Sequence, residues 1–134
     1  MLRKVLAILI GAGAAFGTVA IVESMGHSVY PPPPNLDFTN PEQFGEYLRS
    51  APLGAFAFLL GAWVVAVMIG GFIAAFIARK VIFAVVIGVL VLAASAVNLF
   101  MIPHPTWFSI TGIIVLIAAI LITKRLARIV FGLS

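Results

Sequence analysis

The chain has 134 residues, of which 63% are hydrophobic and only 9% charged, with a formal net charge of +4. A soluble domain carries about 25% charged residues, and a body this small cannot hide so much apolar surface from water. That excludes an ordinary soluble domain and a disordered chain and leaves an integral membrane protein. With no cysteine in the sequence, disulfides, thiol redox chemistry and thiolate metal sites drop out as well.

A membrane-crossing helix needs about 20 apolar residues, so four crossings use most of the chain. The expected fold is all-α: one membrane domain, residues 1–134, built as a four-transmembrane-helix bundle. The first apolar stretch covers about 5–30. Its start, Met1-Leu2-Arg3-Lys4, is basic like that of a secretory signal. However, the apolar run from Val5 to Val22 exceeds the roughly 7–15 residues of a signal core, so a retained membrane helix is expected. Tyr30 precedes four prolines, and a residue before proline avoids helical angles, so the helix should stop there.

The outer loop, 31–52, is the one sizeable piece outside the membrane. Pro31 to Pro34 should form a short polyproline II rod. A helix should then start at Asn40-Pro41-Glu42: Asn40 can cap, Pro41 suits the first helical position, and Glu42 complements the helix dipole. Phe44, Tyr47 and Leu48 fall on one stripe while Glu42, Glu46 and Arg49 face away. The spacing therefore predicts a short amphipathic helix on the outer membrane surface or on the bundle.

The second apolar stretch covers 53–78, with Ser50 as its expected cap and Pro52 in its first turn. Ala62, Ala66, Gly70, Ala74 and Ala78 recur every four residues along it, and Ala7, Gly11 and Ala15 do the same on the first helix. Ridges of small residues let helix backbones approach closely, either inside one bundle or across a homodimer seam. Trp63 sits too deep for an interfacial anchor and reads as packing. Arg79-Lys80 separates this stretch from the third, 81–102, and Pro103-His104-Pro105 separates the third from the fourth, 106–123.

The charges are sorted. Arg3, Lys4, Arg79, Lys80, Lys124, Arg125 and Arg128 fall at one end of the helices, and Arg49 alone falls at the other. The positive-inside rule then puts both termini in the cytoplasm. Glu23, Asp37, Glu42, Glu46 and both histidines lie at or beyond the outer face. Basic residues placed in this way are a topological signal, not a nucleic-acid patch.

Glu23 is the nineteenth residue from Val5 and Asn98 the eighteenth from Val81, so both should lie about 27 Å along helices that leave the same face. Glu23, His27 and Tyr30 share one helix stripe. His104 is held between prolines, and Trp107 opens the next helix. A polar outer-face pocket of Glu23, His27, Tyr30, Asn98, His104 and Trp107 is thus expected.

Three readings of the pocket stay open. Glu23, His27 and His104 supply the ligand types of a site for a divalent metal such as zinc. Glu23 could instead handle protons or cations. Or the polar groups simply satisfy one another. No phosphate loop and no nucleophile–base motif is present.

The run Glu23-Ser24-Met25-Gly26-His27-Ser28-Val29-Tyr30-Pro31-Pro32-Pro33 resembles the signature of small uncharacterised four-helix bacterial membrane proteins. Asn98 through Pro103-His104-Pro105-Thr106-Trp107 is similar to their third-to-fourth helix link. The resemblance covers nearly the whole chain and implies four membrane helices but no particular activity. Small multidrug transporters place their glutamate mid-membrane and have shorter outer loops. Dual-topology fluoride channels lack the seven-to-one basic bias.

The expected function is therefore that of a non-enzymatic bacterial inner-membrane protein, an accessory or binding bundle working at its outer face. The alternatives are a small transporter or channel oligomer and a metal-binding membrane protein. The expected partner is the lipid bilayer, with a larger membrane complex or a second copy of the chain as further candidates.

Overall fold

The computed structural model describes residues 1–37, 39–102 and 104–134. Five helices follow one another: α1 (Leu2–Val29), α2 (Pro41–Ser50), α3 (Leu53–Ala78), α4 (Ile82–Met101) and α5 (Thr106–Phe131). All but α2 are long and apolar enough to cross a membrane. Their outward faces carry Leu9, Ile21, Ile114 and Leu121, each at least 60% exposed. A continuous apolar surface of this kind is tolerable against hydrocarbon and not against water.

The long helices run alternately up and down; α3 and α4 each touch all the others, and the most extensive seam is that of α1 with α3. On one side α3 meets α1 along the two small-residue ridges. A Cβ placed on Gly70 would come within 2.6 Å of the Gly11 carbonyl oxygen and 2.7 Å of Ala15 Cβ, and one on Gly11 within 2.8 Å of Ala74 Cβ. The backbones are therefore in direct contact, and the ridges are used inside the chain. In lipid, where no hydrophobic force drives helices together, such dispersion contact supplies much of the association. On its other side α3 meets α4 and α5: Gly71 faces Ala84 and Thr123, and Gly88 of α4 lies under Ile120. Trp63 is buried and packs on Phe108, their ring centroids 5.8 Å apart, as the packing reading required.

The two ends of the bundle are joined differently. At the end carrying both termini, Arg3 Nε donates to the Ile77 carbonyl at 2.6 Å. There α3 closes on Arg79 in the left-handed region (φ 60°), whose N–H bonds the Ala75 carbonyl. At the opposite end, Asn40 caps α2 through Oδ1, which accepts from the N–H groups of Glu42 (3.0 Å) and Gln43 (3.3 Å), with Pro41 in the first turn. Gly45 and Leu48 are buried while Glu42, Glu46 and Arg49 are exposed, so α2 lies with its apolar stripe on the bundle.

Four local expectations need correction. The last helix does not stop at 123 but continues to Phe131, because Lys124, Arg125 and Arg128 are good helix formers and Ala127 packs against Ala75, Val81 and Ala84. The first helix begins at Leu2, not at residue 5. Ser50 does not cap α3. It is the last residue of α2, and its hydroxyl donates back to the carbonyls of Glu46 and Tyr47, while Pro52 occupies the position before α3. The proline rod is cut short by a turn in which the Leu36 N–H bonds the Pro33 carbonyl. The expectation for Pro103 falls outside the described residues.

Candidate functional site

At the end of the bundle that carries α2, a cavity of about 270 Å³ opens between α1, α2, α3 and the end of α4. Its depth follows from side-chain size. Below it, glycine and alanine hold α1 and α3 in contact. At its level the lining residues are large: Phe56, Phe58 and Leu59 on α3 and Tyr30 after α1. Gly26 still lets α1 touch Phe58, and Gly54 makes room for Tyr30. The residues of α2 that turn inward, Phe44, Tyr47 and Leu48, form its roof.

Five of the six expected pocket residues line this cavity: Glu23, His27, Tyr30, Asn98 and His104. The equal helix rise that sets Glu23 and Asn98 at one depth brings them to one space. Trp107 stands outside it, half-exposed, with its ring edge on Phe56 (5.5 Å) and Phe108 (5.8 Å). The turn before α5 aims its first aromatic residue outward and its second, Phe108, into the core.

The polar groups differ in what they touch. His104 is half-buried and stacks on Phe108 with centroids 5.3 Å apart and planes 23° from parallel. Its Nδ1 lies 3.1 Å from the Ile102 carbonyl. A carbonyl only accepts, so Nδ1 carries the proton and Nε2 of the neutral ring is an acceptor. Burial lowers the His104 pKa from its ordinary value and favours that neutral form, although the bond to Ile102 opposes the shift. Asn98 Oδ1 is buried and has no hydrogen-bond partner, a rare condition for a carbonyl in a protein interior. Tyr30 lays its hydroxyl over Gly54, where a Cβ would collide with it. His27, one turn above Glu23, is exposed at the rim.

Among the described residues, no group of three His, Cys, Asp or Glu side chains is placed to hold a metal ion. Glu23, His27 and His104 thus share a cavity without forming a ligand set. The reason is local: His104 is turned to stack on Phe108 and bond the Ile102 carbonyl, and His27 stays at the rim.

Sequence reasoning missed the aromatic part of the wall, Phe44, Tyr47, Phe56 and Phe58. The amphipathic stripe of α2 was the available signal, because an apolar stripe must cover something. The sequence matches no known protein family, no curated protein and no solved structure.

Proposed function

We propose that the protein is an integral inner-membrane protein with both termini in the cytoplasm, and that it works as a non-enzymatic binding bundle at its outer face. It does so either alone or as an accessory subunit of a larger membrane complex. The sorting of basic residues to the end opposite α2 supports the orientation. The observation that carries the binding reading is the unpartnered Asn98 Oδ1 in the wall of an apolar, aromatic cavity. A buried carbonyl without a partner costs about 1–3 kcal/mol, and an occupant that donates a hydrogen bond removes that cost.

Binding is favoured over conduction by the rest of the bundle. Among the described residues the buried core between the cavity and the basic end is alanine, glycine, valine, isoleucine, leucine and Trp63, with Ser95 and Thr123 as its buried hydroxyl side chains. Its buried Thr123 is satisfied by the Ala119 carbonyl of its own helix, at 2.7 Å. Among the described residues such a core holds two hydroxyls and no ionisable side chain, a poor path for an ion.

Native mass spectrometry of the protein drawn from its own membrane in lipid nanodiscs tests this reading. Ala55 lines the cavity, so Ala55→Phe fills it. The wild-type chain should carry a bound small molecule that Ala55→Phe lacks. Identical masses, bare in both cases, would refute the binding role.

A further inference from the structure

The acceptors around the cavity identify what it takes. Asn98 Oδ1 is a buried acceptor with nothing donating to it. His104 presents a second acceptor, Nε2, because its Nδ1 proton is committed to the Ile102 carbonyl. Glu23 adds a carboxyl group to the same space. Around these polar atoms the wall is aromatic: Tyr30, Phe44, Tyr47, Phe56 and Phe58. We infer that the cavity is a site for a small organic ammonium, whose N–H groups meet Asn98, His104 and Glu23 and whose apolar body lies among the aromatic rings. The inference rests on the binding role proposed above and names the chemical class of its ligand.

Other ligand classes fit less well. An anion would face the Asn98 carbonyl and the Glu23 carboxylate. A neutral alcohol has one donor for three acceptor sites. A quaternary ammonium keeps the attraction to the carboxylate and to the ring faces but has no proton to give Asn98. At about 270 Å³ the cavity is slightly below the usual range for drug-sized ligands, so its occupant is a compact amine and not a lipid chain. Pro32, Tyr30 and the α2 residues of the lining lie at the α2 end, so an amine arriving from that side reaches the cavity without crossing the bundle.

Four congeners with one aromatic body separate these terms: 2-phenylethylammonium, its N-trimethyl analogue, 2-phenylethanol and 3-phenylpropanoate. Calorimetric titration of the full chain in nanodiscs should show 2-phenylethylammonium binding at least about tenfold more tightly than the trimethyl analogue or the alcohol, the scale of one hydrogen bond to a charged group. The propanoate should not bind. Glu23→Gln and Asn98→Leu should each weaken the ammonium by about tenfold or more, with helical circular dichroism and elution volume unchanged.

If either variant fails to fold, the ranking on the wild-type chain still decides. Equal or tighter binding of the alcohol, the trimethyl analogue or the anion would overturn the ammonium assignment while leaving a binding bundle. Failure of all four congeners would overturn it too, and Ala55→Phe in the native-mass experiment would then judge the binding role separately.

Discussion

The two halves of this bundle are built from the same kinds of helix yet do opposite things. Toward the basic end, α1 and α3 meet through Gly11, Ala15, Gly70 and Ala74, and no added Cβ fits between Gly70 and the Gly11 carbonyl. Toward the α2 end the facing residues include Phe58 of α3 and, just after α1, Tyr30, while Phe56 packs on Phe108 of α5 and lines the cavity that remains. Close packing in lipid comes from small residues that bring backbones together. Large rings hold helices apart and leave space that side chains cannot fill. Glu23, His27, Asn98 and His104 gather around that space. The contrast therefore separates a half closed by backbone contact from a half that leaves a cavity.

Perturbing the tight half should cost most. Gly70→Ala places a methyl group against backbone, which cannot yield as a side-chain end can. Overpacking of this kind costs about 1–3 kcal/mol, and the upper part of that range is expected in detergent or nanodisc unfolding. Gly13→Ala and Gly17→Ala are the controls. A Cβ at either meets nothing within 4 Å, and each should gain a few tenths of a kcal/mol from helix propensity.

In the open half the sign reverses. Asn98→Leu removes the unpartnered carbonyl and should raise stability by about 1 kcal/mol in the same unfolding assay, while weakening amine binding by about tenfold or more. A side chain that weakens the fold and is needed for binding is the mark of a site. A loss of stability in this variant would show that Asn98 serves packing alone.

The smallest effect is on pH dependence. The folded-state pKa of His104 lies below its ordinary value, chiefly because of burial. Below about 6.5, its unperturbed value, the unfolded chain takes up a proton that the folded chain resists. The contribution of this ring to stability is therefore full above that pH and is lost as the pH falls toward the lowered folded value. Unfolding free energy followed from pH 8 to pH 5 should fall across this window, and His104→Phe, which keeps a ring on Phe108, should flatten that part of the curve. Asp37 has a depressed pKa because the Thr39 hydroxyl and N–H both bond its carboxylate, but it is fully exposed and its effect is confined to the turn before α2.

Much of this was legible in the sequence because the signals are local or periodic. Four apolar runs gave four long helices, every fourth residue small gave the α1–α3 seam, and Asn40-Pro41 gave the cap of α2. Helix rise alone set Glu23 and Asn98 at one level. What the sequence could not give depends on side-chain direction across elements. Whether His104 turns toward Glu23 or stacks on Phe108 depends on the turn before α5, and the choice decides between a metal site and a hydrogen-bonding one. Trp107 and Phe108 are adjacent aromatics, and only the fold shows which one enters the core. The extension of α5 through Lys124, Arg125 and Arg128 was obscured because charge marks the end of a membrane span, not the end of a helix.

The division into a closed and an open half can be read directly by cysteine accessibility, since the natural chain has no cysteine. Asn98→Cys and Ala74→Cys report one half each. In right-side-out membrane vesicles, a membrane-impermeant cationic methanethiosulfonate added outside should modify Asn98→Cys. Ala74→Cys should resist the reagent from either side of the membrane. Modification of Ala74→Cys as fast as Asn98→Cys, or an Asn98→Cys reached only from the cytoplasmic side, would contradict a binding cavity open at the outer face.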